Sequence, residues 1–283
     1  MRFLALATDY DGTLAADGKV DDTTLVAMDR LRLSGRKLLL ITGRHLPDLR
    51  TVFPKLELFD RVVVENGGLL YHPETREEKP LCESPNERFV SLLKERNVPF
   101  ALGRTIVATW QPHEEAVLAA IRDLGLDLQV IFNKGAVMVL PSGINKGTGL
   151  QAALADLGIS PHNVVSVGDA ENDHSFLRMS GCSVAVANAL PSLKEHADIV
   201  LSSPRGQGVT ELIGHLLADD LAIFDAKPQS TSDLSARQIG DSKLENQSGT
   251  EQEAFAATPE PATVGILRGD PPAVRPPNGT NSK

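Results

Sequence analysis

"LALATDYDGTL", residues 4–14, decides how this chain is read. An apolar run from Leu4 to Ala7 passes through Thr8 into Asp9 and Asp11, with Tyr10 between them. An unbroken apolar run is the pattern of a strand covered on both faces, as in a parallel sheet. Two carboxylates two residues apart at the end of such a strand repel each other and are poorly solvated beside a core. They need a neutralising partner or a chemical use, and the rest of the chain can be searched for both.

The same strand pattern recurs in "KLLLIT" (37–42), "RVVVEN" (61–66), "NVVSVGD" (163–169), "SVAVA" (183–187) and "DIVLS" (198–202). Amphipathic helical stretches separate them. One is "DDTTLVAMDRLRLSG", with an Asp at its start to cap it and Gly35 to stop it. This β–α alternation predicts an α/β domain with a parallel sheet. The middle of the chain breaks the pattern. Residues 82–142 read helix, strand, helix, strand, strand, and the last pair, "LQVIFN" and "AVMVLP", is joined by "KG", a hairpin signal. That predicts a small α+β cap (82–142) inserted into a core made of 1–81 and 143–225. Trp110 and His113 are its distinctive side chains, read as packing and as a helix start. From Ala226 on, Ser, Thr, Gln, Pro and Gly dominate, with Phe255 the sole aromatic. Such a segment buries too little apolar surface to offset its ordering entropy, so 226–283 reads as a disordered tail. The "RGD" at 268–270 and the sequons "NQS" and "NGT" fall there and are not read as functional.

Composition narrows the function. Of 283 residues, 41% are hydrophobic but only 4% aromatic, so aliphatic side chains supply the core. A formal charge of −9 disfavours general binding to nucleic acid or anionic membranes. No apolar stretch approaches the ~20 residues of a membrane span, and no export signal is visible. Cys82 and Cys182 match no metal-ligand spacing and read as reduced thiols. A cytoplasmic setting is the expectation.

In a parallel α/β sheet, ligands bind beyond the carboxyl ends of the strands. The polar residues expected there are Asp9, Asp11, Gly12 and Thr13; Thr42, Gly43 and Arg44; Glu65 and Asn66; and Asp169, Glu171, Asn172 and Asp173. Lys146 opens the helix that feeds the fourth strand. Several acids, one Lys, Thr hydroxyls and clustered Gly suit a hard cation such as Mg²⁺ together with a phosphate. Backbone N–H groups near Gly12 and Gly43 can cradle phosphate oxygens. Arg44 reads equally as a substrate contact or a surface charge, Asn66 equally as a substrate contact or a turn residue before Gly67, and Asp173 as a site acid or a first-turn acid.

"DYDGT", "TGR", Lys146 in "NKGTGL" and "GDAEND", in that order, resemble the four motifs of the haloacid dehalogenase (HAD) superfamily of phosphohydrolases. The likeness spans roughly residues 1–217, and the segment from Gly168 onward is similar to the Cof-type branch with a type IIB cap. About 100 residues separate Thr42 from Lys146, where that branch inserts its cap. The resemblance implies a Rossmann-like doubly wound core and a Mg²⁺-dependent phosphatase of a small phosphorylated metabolite, of the phosphoglycolate or sugar-phosphate type. It implies Asp9 as nucleophile, forming an aspartyl-phosphate, and Asp11 as general acid and then base. Asp9, the Asp11 carbonyl and Asp169 would bind Mg²⁺, with Asp173 as a further contact. Thr42 and Lys146 would hold the phosphoryl oxygens, Gly12, Gly43 and Arg44 the substrate, and Asn172 would orient the phosphate or Lys146. Two alternatives stay open: a phosphomutase sharing the same intermediate, and a catalytically weak regulatory or scaffold module whose tail, 226–283, recruits a partner.

Overall fold

The structure, a computed structural model, describes residues 1–225. The tail, with its RGD, its sequons and Phe255, lies outside the described residues. The chain runs β1 (Ala5–Thr8), α1 (Asp22–Leu33), β2 (Lys37–Ile41), α2 (Leu46–Val52), β3 (Arg61–Val64), β4 (Leu69–His72) and β5 (Glu77–Pro80). There follow α3 (Glu87–Glu95), β6 (Ala101–Leu102), β7 (Val107–Trp110), α4 (Glu114–Asp123), β8 (Leu128–Asn133) and β9 (Ala136–Pro141). It then continues through α5 (Lys146–Leu157), β10 (Val164–Gly168), α6 (His174–Leu177), β11 (Cys182–Ala185), α7 (Pro191–Lys194), β12 (Ile199–Val200) and α8 (Arg205–Asp219).

Eight strands form the larger sheet, in the order β12-β11-β10-β1-β2-β3-β4-β5. The six strands from β12 to β3 are parallel, as the apolar runs predict. Their side chains are buried on both faces: Leu38 to Ile41, Val62 to Val64, and Val164, Val165 and Val167 are all sealed from solvent. Each such aliphatic side chain contributes roughly 1.5–3 kcal/mol relative to exposure. β4 and β5 extend the sheet antiparallel at its edge, which the sequence reading did not foresee. β5 reads "EEKP", and its charge and its proline are what an exposed edge strand tolerates.

Strand order reverses around β1. The chain lays β2 and β3 on one side of it and returns with β10, β11 and β12 on the other. This is the topological switch of a doubly wound sheet, and the crevice beyond it is where such folds bind ligands. Asp9 and Asp169 both lie there, just past the ends of the adjacent strands β1 and β10: the Asp9 amide continues the ladder to Val167 O at 3.1 Å, one residue past β1.

The smaller sheet is antiparallel, in the order β6-β7-β9-β8. Lys134 and Gly135 close the β8–β9 hairpin with φ of 48° and 86°, the two positive values that a two-residue hairpin turn needs. One face of this sheet, through Val107 and Val139, packs against Phe89, Val90 and Leu93 of α3 and Val117 and Ala120 of α4. The other carries Ile106, Met138 and Leu140. A Cβ placed on Gly43 would stand 3.3 Å from Met138 Sδ, so this second face lies against the loop after β2. Trp110, read as packing, is 46% exposed, while His113 does precede α4 at its start. Neither cysteine forms a disulfide. Among the described residues, no helix is long and apolar enough to cross a membrane.

Candidate active site

Lys146 is the hub of the crevice. Asn145 caps α5, accepting from Gly147 N at 2.9 Å and Thr148 N at 3.2 Å, while Thr148 Oγ1 accepts from Asn145 N. That box fixes Lys146 as the first residue of the helix. The glycines of "NKGTGL" then let the helix approach. A Cβ on Gly149 would fall 2.4 Å from Val63 Cγ1 and 2.7 Å from Gly67 Cα. The buried Lys146 Nζ donates to Asp9 Oδ1 at 2.6 Å and to Asp173 Oδ1 at 2.5 Å. Burial works against this ammonium, but the charges of Asp173 and Asp9 outweigh it and hold its pKa above the ordinary lysine value.

Asp173 is wholly buried, and its second oxygen accepts from the amides of Asp169 (2.8 Å) and Ala170 (2.9 Å). It is thus a loop clamp and a partner of Lys146 as well as a first-turn acid. Asp169 accepts from Thr13 Oγ1 at 3.2 Å on one oxygen and from Lys134 Nζ at 2.8 Å on the other. Burial raises the pKa of Asp169, with Lys134 opposing. Burial also pushes Asp9 up to about 7, against the pull of Lys146 and with the help of Asp173 and Asp169.

Asp9, Asp169 and Asp173 each offer one oxygen within 4.8 Å of the others. The Asp11 carboxylate does not join them. β1 ends at Thr8, the chain turns at Tyr10, and Asp11 is carried by the loop. Its two oxygens are forked by Arg44, with Nε to Oδ2 at 2.7 Å and Nη2 to Oδ1 at 2.8 Å. Arg44 also reaches Asp48 and lies over the Tyr10 ring. Arg44 is therefore placed on Asp11, and the Asp11 carbonyl, which accepts from Lys134 Nζ at 3.1 Å, faces the acid cluster instead.

Thr42 is buried beyond β2, its carbonyl accepting from Asn66 N and its hydroxyl from Arg44 N. Asn172 Nδ2 donates to Asn66 Oδ1 at 3.0 Å, which leaves Asn66 Nδ2 and Asn172 Oδ1 buried without partners next to Gly43. Buried orphans of this kind are costly unless a ligand completes them. Gly12 has a φ of 90°, and a Cβ there would sit 2.3 Å from Asp169 Oδ2. Its N–H donates to Ala15 O, so Gly12 gives the site space, not an amide.

Two contributors escaped the sequence reading, and a third, Glu65, was expected only as a strand-end acid. Lys134 shows only as half of a hairpin turn. Asn188, inside "VANALP", donates to Gly12 O at 2.8 Å and accepts from Arg205 N. Glu65 accepts from Arg104 N and from the amide and hydroxyl of Thr105, tying the loop after β3 to the smaller sheet. No local signal marks these contacts, because each joins segments far apart in the chain.

The donor set of the cluster is all oxygen: three carboxylates and the Asp11 carbonyl. Even with two ammonium groups present, it keeps one net negative charge when all three acids are ionised. Each ammonium stands on two of its oxygens. Chemistry and charge alike fit a hard divalent cation.

Comparison with known proteins places this geometry in context. A family model described as haloacid dehalogenase-like hydrolase matches residues 6–113 and 115–213. The chain is 32% identical over 217 residues to a phosphoglycolate phosphatase of Methanothermobacter thermautotrophicus, covering 74% of this chain and 96% of that one. It is 28% identical over 225 residues to phosphoglycolate phosphatase 2 of Saccharolobus solfataricus, covering 76% and 93%. Among solved structures, it resembles a haloacid dehalogenase-like hydrolase from Bacteroides thetaiotaomicron, with a TM-score of 0.65, 19% identity and coverage of 76% and 99%. A HAD subclass IIB sugar phosphatase matches with a TM-score of 0.63, 19% identity and coverage of 75% and 98%.

Proposed function

The chain belongs to the haloacid dehalogenase-like hydrolase family, and from that premise we propose that it is a phosphatase that hydrolyses a small phosphate monoester of the phosphoglycolate or sugar-phosphate type, with Mg²⁺, through a phosphorylated Asp9. The observation that carries this reading is the Asp9–Lys146–Asp173 relay, buried at the switch point of the sheet beside Asp169. The names of the relatives supply the substrate class.

Asp9 is held for attack. Lys146 fixes Oδ1, leaving the other oxygen to approach phosphorus. The Asp9 O–P bond forms, the P–O bond to the leaving group breaks, and the Asp11 carboxyl gives the leaving oxygen its proton. Water then attacks phosphorus, Asp11 takes its proton, and Asp9 is released with free phosphate. Both transfers require the Asp11 carboxyl to turn out of the Arg44 fork, which engages its two oxygens in this structure. Thr42, Gly43, Lys146 and the unpartnered Asn66 Nδ2 are the proposed phosphoryl contacts, with Asn172 orienting the Asn66 amide through its own Nδ2. Mg²⁺, held by Asp9, the Asp11 carbonyl and Asp169, would supply positive charge for the phosphoryl oxygens and for Asp9. Asp173, both of whose oxygens are engaged, positions Lys146 and is not a direct ligand in this scheme. Residues 82–142 would act as the cap, excluding water and selecting the leaving group.

The test is phosphate release from a panel of small phosphate esters. Mg²⁺-dependent release that EDTA abolishes and added Mg²⁺ restores is expected, with free phosphate and not an isomerised sugar phosphate as product. Full turnover in EDTA would remove the metal from the scheme. No phosphate release with any ester would remove the scheme itself.

A further inference from the structure

Two ammonium groups face the acid cluster, and they differ in kind. Lys146 is sealed in, 2% exposed, between two carboxylates. Lys134 is 49% exposed and comes from the tip of the β8–β9 hairpin. Its Nζ lies 2.8 Å from Asp169 Oδ2 and 3.1 Å from the Asp11 carbonyl. It also occupies the space in front of Gly12, where an added Cβ would fall 2.7 Å from it. These are two of the oxygens assigned above to the divalent cation. Mg²⁺ takes its oxygens at ~2.0–2.1 Å with near-octahedral geometry. An ammonium hydrogen-bonded to the same two oxygens leaves no room for it, and two cations in that space repel.

We propose that Lys134 and the divalent cation occupy these oxygens alternately. Before loading, the hairpin tip neutralises Asp169 and the Asp11 carbonyl; on loading, the ion expels the ammonium. Only the side chain has to move. The tip's backbone is anchored independently, since Gly135 O accepts from Gln111 N at 3.0 Å. The half-exposed side chain has solvent to retreat into, while Asp169 stays buried. Metal loading and the tie between the two sheets are coupled through this one residue. The inference rests on the metal-dependent reading of the site.

Titration calorimetry of the full chain with Mg²⁺ alone tests it, comparing wild type with Lys134→Met, Lys134→Arg and Lys94→Met. Lys94 is an exposed cation on α3, and its loss changes net charge equally without touching the cluster. If the ammonium holds the oxygens most of the time, apparent affinity is reduced by the unoccupied fraction, so Lys134→Met should bind about five- to tenfold more tightly. Lys134→Arg should bind no more tightly than wild type, and Lys94→Met should stay within twofold. The heat-unfolding midpoint of Lys134→Met should also rise further with Mg²⁺ than that of wild type. Equal affinity in wild type and Lys134→Met overturns the exchange and leaves the metal-dependent phosphatase standing. An equal gain in Lys94→Met overturns it too, by reducing it to net charge. No Mg²⁺ uptake by a wild type that still releases phosphate overturns both the exchange and the metal's part in the proposed function.

Discussion

Lys146 shows how much one residue type at one position decides. A lysine at a helix start opposes the helix dipole and needs a reason to be there. Its reason is a pair of buried carboxylates, Asp9 and Asp173, contributed by two different strand-end loops. Removing it strands both charges in the interior, a loss of about 3–5 kcal/mol when a buried pair is broken. Lys146→Met should therefore lower the denaturant midpoint markedly and abolish phosphate release. Unchanged stability would mean that the acids do not need it. At this scale the sequence was legible where a residue's chemistry clashes with its setting, as at Asp9, Asp11 and Lys146. It was silent on Asn188 and on the contacts of Glu65 and Lys134, which are ordinary residues made special by a distant partner. Arg44 lay between: the sequence offered substrate or surface, and the structure brings it to Asp11.

At the scale of elements, α5 is the piece that must sit close. Gly149 faces β3 and the turn after it, and Gly147 faces Ser175 of α6, with no room for a methyl group at either. Gly149→Ala would gain helix propensity yet push α5 off Val63 and Gly67, and overpacking of this kind costs typically ~1–3 kcal/mol. Thermal unfolding of that variant should begin at lower temperature and phosphate release should fall with it, because the shift carries Lys146 away from Asp9. A variant as stable and as active as wild type would show that the approach is not tight. The parallel strands were readable because continuous aliphatic runs leave little alternative. β4 and β5 were not, since short strands at an exposed edge carry polar residues that resemble a loop. The β8–β9 hairpin was legible from "KG" alone, but its aim was not.

Across the whole molecule, the sheet brings six strands to one edge so that loops far apart in sequence share a crevice. Away from the site, Asp220, just beyond α8, ties the ends of the fold together. It accepts from the amides of Arg2 and Phe3 and pairs with Arg36 Nη2 at 2.9 Å. Arg36 in turn holds Phe3 O and Leu216 O. Burial alone would raise the pKa of Asp220, but the Arg36 and amide hydrogen bonds outweigh it and hold it below the usual carboxylate value. A depressed carboxylate stabilises the fold above its unfolded pKa and loses that contribution as pH falls through the folded value. Stability should thus drop on acidification below about pH 4, and Asp220→Asn should be less stable at neutral pH by roughly 1–2 kcal/mol while losing less on acidification. Parallel stability curves for the two proteins would contradict that assignment.

The account stands on Asp9 as the nucleophile. Its most direct test is phosphate release with saturating Mg²⁺ by wild type and by Asp9→Asn, with thermal unfolding followed in parallel to show that both are folded. The amide keeps the shape and a hydrogen bond to Lys146 but cannot carry a phosphoryl group. Wild type should release phosphate and a folded Asp9→Asn should release none above the uncatalysed rate. Wild-type release by that variant would contradict the central claim.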